Sequence, residues 1–388
     1  METNNQKNDQ NTISNDADKQ QKGVNVPNLR FSEFDDFWLP TMLSSICSFR
    51  KKRKSSIKKF YVSTENILQN YKGIEQYNSN EVISGNEFLI GDILMANIRP
   101  YLKKVYMAEF DGVSNSDVLI FKSDIVDPHF LHCILANDNF INYVMNSVKG
   151  SKMPRGDKIH IMNYHLSIPR TKEQEKIAKF IDLLDQRINT QNKIIEKYKS
   201  LINTIRTNIF NSFQGKWTKL CNLVENKSLQ LNRGKIIQKH PKDDVYKYPV
   251  YSSSVQKDGL MGYSDYYMFD KELITWSIDG GGDIFFREKH KFCVTNVCGI
   301  LQLDTNKFSY RFVAEALKYQ HSKMTFDYQT KAHPSVIEKL YALPNIELNE
   351  QDKYSKLFKV LYSKLGNEQK YLEIIKEQKK YLLSNMFI

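Results

Sequence analysis

No apolar run in the chain reaches the ~18 residues that a membrane span needs. The opening METNNQKNDQNTISNDADKQ also lacks the apolar core that directs export. The five cysteines, Cys47, Cys133, Cys221, Cys293 and Cys298, are odd in number and show no CxxC spacing. They argue against a disulfide framework or a zinc ribbon and for the reduced thiols of a cytoplasmic protein. No GxxxxGK[ST] signature occurs, so no ATP-driven motor is expected in this chain. No Asn-Pro-Pro-Tyr-like tetrapeptide of a methyltransferase occurs either. The Glu-x-Lys pairs Glu368/Lys370 and Glu377/Lys379 fall on a predicted helix, not on the strand a nuclease site requires. Asp279-Gly280-Gly281-Gly282-Asp283 lacks the strand–loop–helix surroundings of a cofactor loop and reads as a backbone-approach loop or a plain turn. His129-x-x-His132-Cys133 and His160 with His165 have no further ligands to complete a metal site. No metal, cofactor or catalytic residue is assigned to the chain.

What the chain does contain is itself, twice. Glu173–Phe210 and Glu350–Phe387 superpose without a gap at a shift of 177 residues. Glu173-Gln174 falls on Glu350-Gln351, and Ile209-Phe210 on Met386-Phe387. Such a duplication means two copies of one supersecondary design. In the first copy Ile181, Ile188, Ile195, Ile202 and Ile209 recur every seven residues, interleaved with Ile177, Leu184, Gln191, Tyr198 and Ile205. This is the seam of a coiled coil. The second copy continues it as Tyr354, Phe358, Leu361, Leu365, Glu368, Leu372, Ile375, Lys379, Leu382 and Met386, with Glu368 and Lys379 as polar interruptions. Each helix should run about 57 Å and needs a partner for its stripe. An antiparallel pairing of the two would set Gln191 against Glu368 at the midpoint and pin the register.

The pieces before the helices repeat in outline. Phe34 with Trp38 matches Phe213 with Trp217. The run Gly91–Tyr101 matches Glu272–Ile278, and Val113–Ile120 matches Val294–Leu301. Short β-branched runs between Gly, Asp and Asn read as strands, with short helices predicted at 128–148 and 308–323. A basic loop closes each half, Lys149–Arg155 or Gln329–Pro334. The fold class is α+β: a polar tail over 1–25 expected to be disordered, a mixed domain at 26–170, a helix at 171–213, a second domain at 214–347 and a helix at 348–388.

These helices, with their Glu-Gln start after a proline-bearing strand, resemble the conserved spacers of type I restriction-modification specificity subunits. GDILMANIRPYLKK (Gly91–Lys104) and YPVYSSS…GLMGYSDYY (Tyr248–Tyr267) resemble segments of that family's target recognition domains. The resemblance implies a non-catalytic subunit in which each domain reads one half of a bipartite double-stranded DNA target. The antiparallel helices would then act as a ruler and help dock two methyltransferase subunits. Motor/endonuclease subunits would complete the complex, with S-adenosylmethionine and ATP bound on the partners. A recognition subunit of a differently organised restriction system, and a protein–protein scaffold that never touches DNA, carry the same features.

The formal charge of +12 suits a polyanion. Cationic clusters that could meet phosphates are Arg50, Lys51, Lys52, Arg53 and Lys54; Arg99, Tyr101, Lys103 and Lys104; and Lys152, Arg155 and Lys158. The second half offers Arg233, Lys235, Arg287, Lys289, Lys291 and Lys331. Base reading draws on Arg, Asn, Gln, Ser and Thr, which Asn97, Arg99, Asn115, Ser252, Ser253, Ser254 and Asn296 supply. Asn115 and Asn296 occupy matched positions, which favours a structural role for that pair.

Overall fold

The computed structural model describes residues 26–50, 54–55, 60–75, 85–148, 150, 153–213, 215–254, 256–279, 283–324 and 331–388. The chain divides into two compact units, Met1–Gln191 with Tyr371–Ile388, and Asn192–Lys370.

In the first unit β1 (Leu39–Met42), α1 (Leu43–Ile46), β2 (Cys47–Phe49), β3 (Lys54–Ser55), β4 (Phe60–Val62), β5 (Gly85–Phe88), β6 (Ile93–Ala96), β7 (Val105–Met107), β8 (Gly112–Ser114) and β9 (Val118–Ser123) precede the helices. Then come α2 (Pro128–Leu135), α3 (Asp138–Met145), α4 (Lys158–Met162), β10 (His165–Ile168) and the long α5 (Thr171–Asn211), which belongs to this unit as far as Gln191. The second unit contains β11 (Trp217–Lys219), α6 (Leu220–Glu225), β12 (Leu229–Arg233), β13 (Tyr248–Tyr251), β14 (Leu260–Ser264), β15 (Phe269–Ser277), β16 (Ile284–Val294) and β17 (Cys298–Leu303). It closes with α7 (Tyr310–His321), α8 (Pro334–Leu340) and β18 (Ala342–Pro344), which leads into α9 (Leu348–Asn385).

The two halves share one backbone plan. β1 pairs antiparallel with β10, and β11 with β18. Leu43 donates its N–H to Tyr164 O, and Leu220 to Tyr341 O, both at 2.9 Å. The sheet order β2-β9-β6-β7 returns as β12-β17-β15-β16. Each half also has one parallel pair, β4 with β8 in a separate sheet and β13 with β16 in the same sheet. Gly91–Tyr101 is a strand only over Ile93–Ala96 and then turns sharply. The single helix predicted over 128–148 is two, because Asn137 interrupts it. Its Oδ1 accepts from Asn139 N and caps α3, while its Nδ2 donates to Leu383 O at 2.8 Å.

Each long helix is tied down at its second residue pair. Gln174 donates to Pro169 O and accepts from Asp127 N, the cap of α2. Gln351 donates to Ile346 O and Lys307 O and accepts from Ser309 N, the cap of α7. Both glutamines are buried. Glu173, 2% exposed, holds Arg30 through two 2.7 Å bonds and accepts from Trp38 Nε1. The far helix ends are matched as well. Phe387 packs on Trp38 and Phe130, and Phe210 on Phe213, Trp217 and Phe312.

The seam residues face inward. Ile181, Ile195 and Ile202 of α5 and Leu361, Leu365, Leu372 and Ile375 of α9 are buried; Leu184, Ile188 and Glu368 are half-buried. Gln191 is 4% exposed. Within the first unit the helix segments run antiparallel, Asp185 meeting Lys379 and Arg187 stacking on Tyr371. Lys379, a flaw on the apolar line by sequence, sends its Nζ to both Asp185 oxygens at 2.6 and 2.7 Å. Within the second unit they also run antiparallel, with Arg206 on Tyr362 and Phe213 on Tyr354.

Arg206 also bonds Glu315 of α7, a carboxylate only 1% exposed. Burial pushes the Glu315 carboxyl up, but Lys318 and Arg206 outweigh it and hold its pKa below the ordinary 4.5. A depressed carboxylate contributes stability above its unfolded pKa and loses it as pH falls through the folded one. Glu315→Gln should therefore destabilise the chain at neutral pH by about 3 kcal/mol, and the gap from wild type should close below pH 4.5. Urea unfolding at a series of pH values measures this; a gap independent of pH would place the carboxylate outside the network.

Candidate nucleic-acid interface

Four segments of the first unit converge where β6 ends. Asn97 N donates to Asp117 O in the β8–β9 turn, and Gly156 N donates to Asn97 O. Arg99 N donates to Pro154 O, and Ile98 bridges Arg155. A 3₁₀ turn, Pro100–Leu102, follows, flanked by Arg99 at φ 52° and Lys103 at φ 54°. Asn70 and Tyr71, both at φ 57°, donate their N–H groups to Leu102 O and Lys103 O at 3.0 Å.

The second unit builds the same junction. Ile278 N donates to Val297 O, and Ala332 N, from the closing basic loop, donates to Ile278 O. Arg233 Nε donates to Asn296 O, and Lys235 N to Val294 O. Gly234 between them has no alternative, since a Cβ there would lie 2.2 Å from Val294 O. Lys257, Asp258 and Gly259, at φ 49°, 53° and 83°, turn the chain back so that Gly259 O accepts from Ser252 N.

The convergence re-sorts the sequence-derived candidates. Arg50 is no phosphate contact: it grips Asp92, itself 2% exposed, through a two-pronged ion pair, and that hydrogen bond raises its pKa. Lys51, Lys52, Arg53 and Lys152 lie outside the described residues, as does the side chain of Lys54. Lys103 is taken by Asp138 at 2.8 Å, and Lys104 donates to Thr64 O. Arg155 pairs with Asp117, and Lys331 with Asp279, both at exposed positions. Arg99, Lys158, Lys235 and Lys289 are exposed, as is Lys291, which sits over the Tyr267 ring. Arg233 is exposed despite its bond to Asn296.

Three expected DNA contacts, two base-reading candidates and one cation, are internal. Asn97 is 7% exposed, with its Oδ1 unpaired beside Gly156. Ser252 is 6% exposed and accepts from Thr295 Oγ1, which leaves Ser253 and Ser254 as the half-exposed members of that triplet. Arg287 is 5% exposed, its guanidinium 3.7 Å from the Tyr251 ring centre and its Nε on Thr275 Oγ1. Burial lowers its pKa, and it stiffens the sheet beneath the Gly259 turn instead of facing solvent. Asn115, half-buried with an unpaired Oδ1, belongs to the turn itself, since its carbonyl accepts from Val118 N and Ser114 Oγ. Asp138, Tyr71, Asp92 and Thr295, which organise these loops, carry no sequence signal beyond being polar. Among the described residues no group of three His, Cys, Asp or Glu side chains could hold a metal ion, and no helix is long and apolar enough to cross a membrane.

Arg50→Ala should lower the free energy of unfolding by about 3 kcal/mol, because it strands the Asp92 carboxylate. It should leave the salt dependence of DNA binding unchanged. Chemical denaturation and a salt titration read the two effects separately; unaltered stability with a shallower salt slope would return Arg50 to the surface.

The chain matches the family model of the type I restriction modification DNA specificity domain twice, at residues 43–199 and 224–377. A putative type I specificity subunit of Mycoplasma pneumoniae is 33% identical over 130 residues, 31% of this chain and 42% of that protein. The EcoDI specificity subunit of Escherichia coli is 28% identical over 134 residues, 34% of this chain and 30% of its own length. The matches thus span well under two thirds of these relatives. The crystal structure of the S subunit from M. genitalium aligns over 94% of this chain and 99% of its own, with a TM-score of 0.60 at 16% identity. A second solved structure, from a study of complex assembly in the type I R-M system, aligns over 91% and 98% with a TM-score of 0.55 at 14% identity. With both halves matched, the chain belongs to the family of type I restriction modification DNA specificity domains.

Proposed function

We propose that the chain is the non-catalytic DNA-specificity subunit of a type I restriction-modification complex, each domain reading one half of a bipartite duplex target. The observation that carries this is the duplicated junction: the same hydrogen-bonded frame stands at Asn97 and at Ile278, and the loops mounted on it differ. Two identical frames with different loops suit two different half-sites. The charge of +12 supplies the sequence-blind attraction to phosphates, and the exposed Lys158, Arg233, Lys235, Lys289 and Lys291 are its candidate contacts.

The long helices, 41 and 38 residues, are the candidate ruler for the unread spacer. A meeting of Gln191 with Glu368 at their midpoints would fix its register. Two methyltransferase subunits would dock on the helices and domains. Phe180 with Leu183 and Leu357 with Val360 fall on each other in the repeat; Leu183, Leu357 and Val360 are exposed in spite of being apolar, as duplicated docking points would be. The partners would bring S-adenosylmethionine, and motor/endonuclease subunits would bring ATP. The free cysteines fit a cytoplasmic location.

Mapping adenine methylation across the host genome with and without the gene tests this. Loss of one motif with two short halves around a fixed gap is expected. Exchange of residues 26–170 for another recognition domain should change one half only. An unchanged map, together with no sequence preference in direct binding, would favour a protein–protein scaffold.

A further inference from the structure

The turn after β6 presents an exposed arginine on a backbone held from several sides. Arg99 and Lys103 both sit in the left-handed region, which costs a non-glycine residue of order 1 kcal/mol. They are held there from three sides. Leu102 N and Lys103 N close the turn on Arg99 O and Pro100 O. Asn70 N and Tyr71 N, themselves left-handed, bond Leu102 O and Lys103 O. The 153–156 loop bonds Arg99 N through Pro154 O.

The side chains divide in the same way. Lys103 Nζ and Tyr71 Oη both bond Asp138 Oδ1, at 2.8 and 3.1 Å, and Lys380 of α9 lies 3.8 Å from Asp138 Oδ2. Burial raises the Asp138 pKa, but Lys103 and the other partners outweigh it and keep the carboxyl below its usual value. Asn137, next to it, is bonded to Leu383 O. The turn is thereby braced against α3 and the last turns of α9. Lys104 and Arg155 are likewise committed, to Thr64 O and Asp117. Arg99 has no side-chain partner among the described residues, and Tyr101 is 49% exposed. In the second unit the chain leaves the matched strand end at Ile278 and enters Asp279–Asp283, which has no arginine.

We infer that the Arg99–Lys103 turn is the base-reading element of the first domain. Arg99 would be the residue that recognises a guanine edge, Tyr101 would pack against the neighbouring base, and Asp138 would position them through Lys103 and Tyr71. Phosphate attraction needs only charge and tolerates flexible lysines. A bidentate contact to guanine O6 and N7 needs a guanidinium held in a fixed direction, and a braced left-handed turn supplies that. This inference rests on the DNA-specificity reading above.

The test is selection of randomised duplexes by the full chain in its purified complex, repeated at two salt concentrations. Wild type should yield a bipartite motif; if it yields none, the specificity reading itself fails. Arg99→Gly removes the guanidinium and relaxes the left-handed backbone, so folding is not at stake. It should erase preference at one guanine of a single half-site, on the order of 10- to 100-fold in discrimination, leaving the other half-site intact. Asp138→Asn should blur the same half-site while Arg99 is still present, with the other half again unaffected. If Arg99→Gly keeps the wild-type motif and only weakens binding uniformly, with a salt slope smaller by about one, Arg99 is a phosphate contact and the inference is overturned. Equal loss at both half-sites would overturn it as well.

Discussion

Each half of this chain depends on one buried glutamine. Gln174 and Gln351 sit one turn inside their long helices, where the first backbone N–H groups have no helical partner. Each accepts from the backbone N–H of the residue that precedes a domain helix and donates to the carbonyl just before its own helix. A buried amide left half-satisfied costs as much as several good contacts contribute, so the angle between domain and helix is fixed by a polar lock and not by apolar packing alone. Everything downstream inherits that angle: the aromatic seats of Phe387 and Phe210, the antiparallel helix segments of each unit, and the loops at Asn97 and Ile278.

The second constraint is electrostatic. The seam interruptions that look like weaknesses in a heptad are specific partners. Lys379 finds Asp185 in one unit, and Arg206 finds Glu315 and Tyr362 in the other. An apolar stripe alone lets helices slide by a heptad, whereas a charge that must meet one carboxylate does not.

Function in this design resides in what the frame holds constant and what it releases. The strand end bonds the following turn and accepts from the segment that closes the half in the same way at Asn97 and at Ile278. The segment that follows is a strained Arg99–Lys103 turn in one and the glycine-bearing Asp279–Asp283 run in the other. Strain persists only where surrounding bonds over-determine it. At Arg99 those bonds come from the 70–71 pair, the 153–156 loop and Asp138, three stretches far apart in sequence.

The sequence by itself determined the duplication, the two long helices and their seam, the mixed domains before them and the family, because these rest on periodicity and on matched order. It also placed the matched strand runs and basic loops that form the two junctions. Only the tertiary structure decided which polar residues are free. Arg50, Asn97, Ser252 and Arg287 have the chemistry of DNA contacts, yet Arg50 is spent on Asp92 and the other three lie inside. The break of the 128–148 helix at Asn137 was half hidden, since the residue caps α3 locally but is held in place by a carbonyl of Leu383. The reason is the same in each case. Periodicity is local and survives in one dimension, whereas the partner that neutralises a charge or satisfies an amide is chosen by folding from a residue tens or hundreds of positions away.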